Sequence, residues 1–311
     1  MVPASPPSSG RRPRSGWLWV LLTALPWAWF VLRGSWPPLD LVAVVLPPLG
    51  VASLLVLGLV AARTGRLLPL TAGLSVFLVT ALAVILPRLP VEQPRPPHGF
   101  RLASANVSEG NDIPREAAAT LAERQVDVLV LVEADRKTLD ELLVMTDLPE
   151  RITTSDLSVL SRWPLFRLTR PPPPSGGAAL RIRVDRPGSP FVLHVMHAPN
   201  PLYQTTFEEQ ERLAAHLVRL ADAEVLPALV VGDLNLTDRA QGYRTLAGSL
   251  RDAMRAGSWP ADTYRLNVWR SLLLRIDHLF VPSDWCAADP VTFDIPGSDH
   301  RGIEASIGPC P

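Results

Sequence analysis

Three long apolar runs dominate the start of the chain. Trp17–Leu32 runs sixteen residues without a charge, Leu41–Ala62 runs 22, and Leu67–Pro87 runs 21. A helix rising 1.5 Å per residue needs about 20 such residues to cross a hydrocarbon layer of ~30 Å. The pattern predicts three membrane-spanning helices, at about residues 17–32, 41–62 and 67–87. The first run is short and broken by Pro26, although Trp17, Trp19, Trp27 and Trp29 suit an interfacial setting. A cleaved signal peptide is the rival reading of that run, but no small-x-small cleavage site follows it. Pro26, Pro47, Pro48 and Pro69 read as kinks that spanning helices tolerate.

Past the third run, residues 88–100 hold four prolines and read as a stiff extended linker. Strand and helix signals then alternate. RLASANV (101–107) reads as a short strand, Asp112 as the cap of a helix reaching about Gln125, and VDVLVLV (126–132) as a buried strand. A second helix covers Arg136–Met145, and strands are expected at Leu157–Leu160, Ala179–Val184 and Phe191–Met196. Thr206 and Glu209 form a capping box ahead of Leu213, Leu217 and Leu220 at helical spacing. Residues 228–231, 276–281, 290–295 and 302–307 complete the strands. This order implies an α/β domain over 101–308, with buried sheets and helices outside. The pattern alone leaves three and four layers open.

Charge divides the chain at the same place. Residues 1–96 carry eight arginines and two acids, whereas residues 97–311 carry 22 basic and 28 acidic residues. The Pro-, Ser- and Gly-rich tail (1–16), with Arg11, Arg12 and Arg14, reads as disordered. Basic loops stay in the cytoplasm. The tail, Arg63 and Arg66 therefore predict a cytoplasmic N-terminus, a multi-pass position in the cell membrane and an extracytoplasmic domain. The bilayer is the expected partner, and no protein partner is implied. Cys286 and Cys310 flank the last two expected strands, and an oxidising outer compartment would permit a disulfide between them. The acidic domain disfavours a sequence-blind DNA binder. No span carries an acid or histidine in its interior, which speaks against a transporter.

The apolar pattern breaks repeatedly at strand ends. Asn106 lies near the end of the first strand, and Glu133 closes VDVLVLV. His197 follows FVLHVM, while His194 on the opposite face reads as a core histidine. Asp233 and Asn235, in GDLN, project the same way if the backbone stays extended, and could grip a water or a phosphate oxygen together. Asp277 begins a strand in IDH, and Asp299 and His300 precede another in GSDHRGI. Each has an ordinary alternative: an Asx turn at Asn106, a helix cap at Glu133, a plain turn at GDLN. Together they form an inventory of hard oxygen ligands (Asn106, Glu133, Asp299), a water-orienting carboxylate (Asp233) and an Asp–His pair. That inventory suits metal-assisted attack of water on a phosphate ester. Among other phosphate and hydrolase signatures, no Gly-rich phosphate loop, nucleophile elbow or Cys-His spacing is found.

In this order, Asn106, Glu133, His197, Gly232–Asn235, Ile276–His278 and Ser298–His300, with DLSVLSRWPL at 156–165, the chain resembles the endonuclease/exonuclease/phosphatase superfamily over about residues 100–308. That group includes deoxyribonucleases, apurinic endonucleases, sphingomyelinases and inositol polyphosphate phosphatases. The resemblance implies a four-layer α/β/β/α sandwich behind the transmembrane helices. It implies Glu133 as the principal Mg²⁺ ligand, with Asn106 and Asp299 nearby, and Mn²⁺ or Ca²⁺ as possible substitutes. Asp233 would position or deprotonate water, and Asn235 would hold a phosphate oxygen. His300, oriented by Asp277, would stabilise the transition state. His197 would do so from the other side or protonate the leaving oxygen. Ser108 stands where some nucleases of the group carry an acid, so one or two metals remain open. The expected activity is hydrolysis of a phosphate ester, a diester before a monoester, with nucleic acid and phospholipid or inositol phosphate head groups as substrates. The alternative is a non-catalytic receptor for a phosphorylated ligand. The loop 257–275 is the expected substrate reader, through Trp259, Tyr264, Trp269, Arg265, Arg270 and Arg275, unless its aromatics merely pack beneath it.

Overall fold

The computed structural model describes residues 16–265 and 272–311. Trp269 and Arg270 of the expected reading loop, and the basic tail 1–15, lie outside the described residues.

Twelve described strands form two mixed six-stranded sheets. The first sheet has the order β11 (Trp285–Asp294), β12 (Arg301–Pro309), β1 (Phe100–Asn106), β2 (Val128–Val132), β4 (Leu157–Ser161), β3 (Glu150–Thr153). The second runs β5 (Leu165–Arg167), β6 (Ala178–Val184), β7 (Phe191–His197), β8 (Ala228–Asp233), β10 (Asp277–Val281), β9 (Arg251–Asp252). Only β1 with β2 and β7 with β8 run parallel.

The unbroken apolar run of β2 follows from its place between two layers. Val128, Val130 and Val132 face the second sheet, among Leu193, Val195, Leu229, Val231 and Leu279. Leu129 and Leu131 face outward, under Ala117, Ala118 and Leu121 of α4 (Pro114–Glu123) and Leu139 and Leu142 of α5 (Arg136–Met145). The second sheet is covered by Leu213, Ala214 and Leu217 of α6 (Phe207–Asp222) and by Tyr243 and Leu246 of α7 (Gln241–Ser249). Helix, sheet, sheet, helix is therefore the layer order. Each buried Leu or Val contributes roughly 1.5–3 kcal/mol of transfer free energy.

Several local expectations meet their physical competitors here. The capping box of α6 forms as read. Asp112 does not cap α4: the helix starts with Pro114 at its first turn, and Asn111 Oδ1 takes the Ile113 N–H instead. At α5 the cap is Asp135, whose carboxylate accepts the Thr138 N–H at 2.8 Å. Glu133 is thereby left free of that duty. Cys286 and Cys310 form a disulfide across the β11–β12 pair.

Of the three apolar runs, two become helices long and apolar enough to cross a membrane, Pro37–Thr64 and Leu67–Arg88. The first run, α1 (Gly16–Leu32), is 17 residues long and reaches about 26 Å, short of a full hydrocarbon core. It packs beside α2 (Asp40–Thr64) and α3 (Leu67–Ile85), and Ser53 Oγ of α2 donates to Leu22 O of α1 at 2.9 Å. Gly50 lets α2 approach Thr80 of α3 so closely that a Cβ there would collide with the threonine side chain.

The linker is extended but not free. Val91 N donates to Arg255 O at 2.8 Å and Val91 O accepts from Gly257 N at 3.0 Å, so the segment lies against the domain as a strap. Arg88, at the end of the third run, is buried. It donates to Asp238 at 2.5 Å, Asp262 at 2.6 Å and Leu273 O at 2.7 Å. Asp40 accepts the Gln241 N–H at 2.8 Å, and Arg239 Nε donates to Ala43 O at 2.9 Å. The C-terminal end of α1, the N-terminal end of α2 and the C-terminal end of α3 thus share the domain's side, and Arg63 and Arg66 lie at the far end.

Candidate active site

Strand register brings the polar residues together. In the second sheet, Asp233 closes β8 and is paired on one side with His197 of β7 and on the other with Asp277 of β10. In the first sheet, Asn106 of β1 is paired with Val132 of β2, so Glu133 follows directly beside it. His300 stands just before β12, which runs antiparallel to β1 and therefore begins at that same edge. Gly232 carries the close approach of β7 and β8. Its φ is +130°, and a Cβ there would strike the Met196 carbonyl.

Asn106 links the two sheets. Its Nδ2 donates to Glu133 Oε1 at 3.0 Å and to Asp233 Oδ2 at 3.2 Å, while its Oδ1 accepts the Ser108 N–H at 3.0 Å. Glu133 adopts φ +56°, in the left-handed region, a strain typical of functional sites. Its second oxygen accepts the Glu109 N–H at 3.2 Å, and its side chain remains 28% exposed. Asp299 accepts from Ser108 Oγ at 2.8 Å. Ser298 Oγ ties the same loop to Asn106 O at 2.8 Å. Asn106 thus bonds the carboxylates of residues 133 and 233 directly, and Ser108, on the Asn106 carboxamide, holds that of residue 299.

Both imidazoles are locked by carboxylates. His300 Nδ1 donates to Asp277 at 2.8 Å, which turns Nε2 toward Asp233 Oδ2 at 3.7 Å. His197 Nδ1 donates to Asp156 at 2.8 Å, which turns Nε2 toward Glu133 Oε1 at 3.3 Å. Burial works against their charge, but the surrounding carboxylates prevail. His300 is pushed up to about 10, chiefly by Asp277 and Asp233, and His197 to about 9 by Asp156, Asp233 and Glu133. Asp233 is pushed up to about 6 by burial and by the like charge of Asp277, with His300 and His197 pulling the other way. Imidazolium nitrogens donate and do not ligate metal. The oxygens of Glu133 and Asp299 are of the type a hard divalent cation takes. Ligand atoms lie within 4.8 Å of one another in two groups that share Asp233, namely Glu133, His197 and Asp233, and Asp233, Asp277 and His300; Asp299 belongs to neither. Asn106 Oδ1 accepts the Ser108 N–H and keeps a second lone pair for a cation.

Two expected residues stand differently. The backbone does not stay extended through GDLN. Asp233 Oδ1 accepts the Asn235 N–H at 2.8 Å and turns the chain, leaving Asn235 at φ +48°. Asn235 Nδ2 then donates to Ala198 O at 2.8 Å, and its Oδ1 accepts from Asn200 at 3.3 Å. Arg275 is no surface reader. It is fully buried, bonded to Asp252 at 2.7 Å and stacked on Tyr243. Of the remaining loop residues, Trp259 is half-exposed, Arg265 pairs with Asp294 at 2.9 Å, and Tyr264 sits edge-on to His300 at 5.1 Å.

Asp156 is a side chain of this site that sequence reasoning missed. It opens the DLSVLS segment, and the antiparallel pairing of Val132 with Leu157 sets it beside Glu133. Only that register distinguishes it from a turn acid. His194, read as a core histidine, is indeed fully buried, 3.1 Å from Glu224.

Comparisons with known proteins place this geometry. No curated protein sequence matches the chain. Among solved structures, an endonuclease/exonuclease/phosphatase from Beutenbergia cavernae DSM 12333 superposes with a TM-score of 0.54 at 20% identity, covering 68% of this chain and 72% of that one. A family protein from Leptotrichia buccalis C-1013-b gives 0.51 at 18% identity, covering 67% and 99%. A humanized D. rerio TDP2 gives 0.52 at 15%, covering 68% and 99%. At these identities the structures speak for the fold alone. The family model does more: the one for the endonuclease/exonuclease/phosphatase family matches residues 103–300, well over half of the chain and every site residue above, and the chain belongs to that family.

Proposed function

We propose that the protein is a membrane-anchored, Mg²⁺-dependent hydrolase that cleaves a phosphodiester by direct attack of water. The observation that carries this reading is the opposition across Asp233. Metal-type oxygens (Glu133, Asp299) lie on one sheet's edge, and two carboxylate-locked imidazoles lie around the other. When bound, the cation supplies Lewis-acid neutralisation of phosphate charge.

The residues divide the remaining work. Asp233 accepts a proton from the attacking water as the new oxygen–phosphorus bond forms. Burial and its raised affinity for protons suit it to that task. His300, held by Asp277, donates Nε2–H to a non-bridging phosphate oxygen as charge builds there. His197, held by Asp156, donates its Nε2 proton to the leaving oxygen as the ester phosphorus–oxygen bond breaks. Asn106 keeps the Glu133 and Asp233 carboxylates in fixed relation. Five carboxylates close to the phosphate position (Glu133, Asp156, Asp233, Asp277, Asp299) favour the single charge of a diester over a monoester dianion.

Anchoring is supported by the two long apolar helices. An extracytoplasmic domain is supported by the Arg63 and Arg66 loop at the far helix ends and by the disulfide. Arg88, which would weaken the charge asymmetry, is neutralised by Asp238 and Asp262. The test is hydrolysis of bis-p-nitrophenyl phosphate by the detergent-solubilised full chain. Activity should require Mg²⁺, vanish on chelation, and fall at least ~100-fold in Glu133→Ala, comparable to losing a key charge-stabilising group. Activity that survives chelation, or a fully active Glu133→Ala, would refute the proposal. A panel of DNA, RNA, sphingomyelin and inositol phosphates then orders the substrates.

A further inference from the structure

A basic cleft lies away from the acidic catalytic edge, where the helices meet the domain. A cleft of about 350 Å³ opens between the domain-side ends of α1 and α3 and helix α7. Trp29, Leu82 and Leu86 form an apolar strip along the helices, Arg33 stands at the end of that strip, and Arg244 and Arg255 line the domain side. Among the described residues none of these three arginines forms a salt bridge with a carboxylate. Arg33 rests on the rings of Trp29 and Phe30, Arg255 Nε donates to Leu89 O at 2.9 Å, and Arg244 donates to Gln241 Oε1 and Arg239 O. Arg244 Nη2 is buried with no partner at all. An unmet guanidinium donor in a buried position is costly, and such groups are ordinarily satisfied. The acid on the cleft wall, Asp238, is already held by Arg88 and Arg275. Asp40 and Glu211 reach Arg244 only through space. The cleft therefore carries cations from both sides, Arg33 at the end of α1 and Arg244 and Arg255 on the domain, beside an apolar strip on the helices.

We infer that this cleft seats one anionic phospholipid, its phosphate on Arg33, Arg244 and Arg255 and an acyl chain along the Trp29, Leu82 and Leu86 wall. The inference rests on the anchoring read above, because only a bilayer around α2 and α3 puts lipid phosphates at this level. It follows from charge and polarity together. Guanidinium groups bind phosphate through paired N–H donors. The apolar wall continues onto the exposed faces of the helices at Leu82 and Leu86, which an acyl chain of the surrounding bilayer would follow. The seat is separate from the catalytic edge, so a lipid here would act as a structural ligand. It would cross-brace α1 and α3 to α7 beside the buried Arg88–Asp238 pair.

Thermal unfolding of the full chain in neutral detergent tests this, with phosphatidylglycerol, phosphatidylcholine or inorganic phosphate added. Phosphatidylglycerol should raise Tm by at least ~3 °C over phosphatidylcholine, and inorganic phosphate should not reproduce the shift. Arg33→Gln with Arg244→Gln should abolish the preference. Arg63→Gln with Arg66→Gln, at the opposite helix ends, should retain it. Glu133→Ala should also retain it, since the seat is not the catalytic site. Should the double variant not fold, Arg255→Gln must at least halve the shift. Equal shifts with the two lipids, an undiminished preference in the arginine variants, or its loss in Glu133→Ala would overturn the lipid seat. Alkaline carbonate extraction reports on the anchor separately. Release of the chain without detergent would overturn anchoring and seat together, whereas retention with equal lipid shifts would overturn the seat alone.

Discussion

Two clusters of buried charge lie in this molecule, and they are balanced in opposite ways. At the docking face, Arg88, Arg239 and Arg275 surround Asp238 and Asp252, and Tyr243 donates to Asp252 at 2.7 Å. Burial opposes ionisation of Asp238 and Asp252, but the arginines outweigh it and hold both carboxyls below the usual range. With Asp262 on Arg88, three arginines there answer three carboxylates. At the catalytic edge, carboxylates outnumber the imidazoles, and Asp233 is pushed up to about 6 by burial and Asp277. Unbalanced charge is what a metal and a phosphate would complete. The first cluster holds the helices to the domain. The second is kept in a state that costs stability and is suited to chemistry.

Substitutions can separate the two roles. Asp233→Asn should lower the hydrolysis rate roughly 10³-fold, as expected for loss of a general base, while leaving Tm unchanged or higher. A drop in Tm with preserved rate would invert the comparison. Arg275→Met leaves Asp252 without its partner and should cost about 3–5 kcal/mol, seen as a Tm lowered by ~10 °C. The rate per folded molecule should stay near wild type, and a selective loss of rate would show the two clusters to be one.

Acid should act on the docking side through His278. Its Nε2–H donates to Leu236 O at 2.7 Å, and its Nδ1 is buried without a partner. Burial first, then Arg275, lowers it to about 4. Unfolded, an ordinary histidine titrates near 6.5, so between those values the unfolded chain binds the extra proton. Stability is then lost as pH falls from about 6.5 toward 4, by up to ~3 kcal/mol for this one group. Denaturant melts across that window should show the slope, and His278→Phe should flatten it whatever its stability at pH 7. The smallest effect is expected at Asp156→Asn. His197 keeps its place but loses the anionic partner, and turnover should fall about tenfold with its alkaline limb shifted to lower pH. A rate profile identical to wild type would make Asp156 a bystander.

Much of this molecule is written locally. Alternating and continuous apolar runs mark nine of the twelve described strands, because a residue's preference for a buried face depends on its own chemistry. The three shortest, Glu150–Thr153, Leu165–Arg167 and Arg251–Asp252, offer too few apolar residues to declare themselves. Helix α7, with Gly242 and Gly248 among its nine residues, was likewise not legible. Polar residues at strand ends were legible because a charge after an apolar run has few structural reasons to be there.

By itself the sequence determined the α/β class, the two long apolar helices, the capping box of α6 and the set of chemical groups available at strand ends. Periodicity, apolar length and side-chain chemistry are properties of neighbours along the chain. Only the tertiary structure decided that Asp156 is bonded to His197, that the Asn235 carboxamide is bonded to Ala198, that Arg275 is buried and that the proline-rich strap is pinned through Arg88 and Val91. Each of those outcomes depends on a register or a close approach between segments tens to hundreds of residues apart. No local preference encodes which distant partner will arrive.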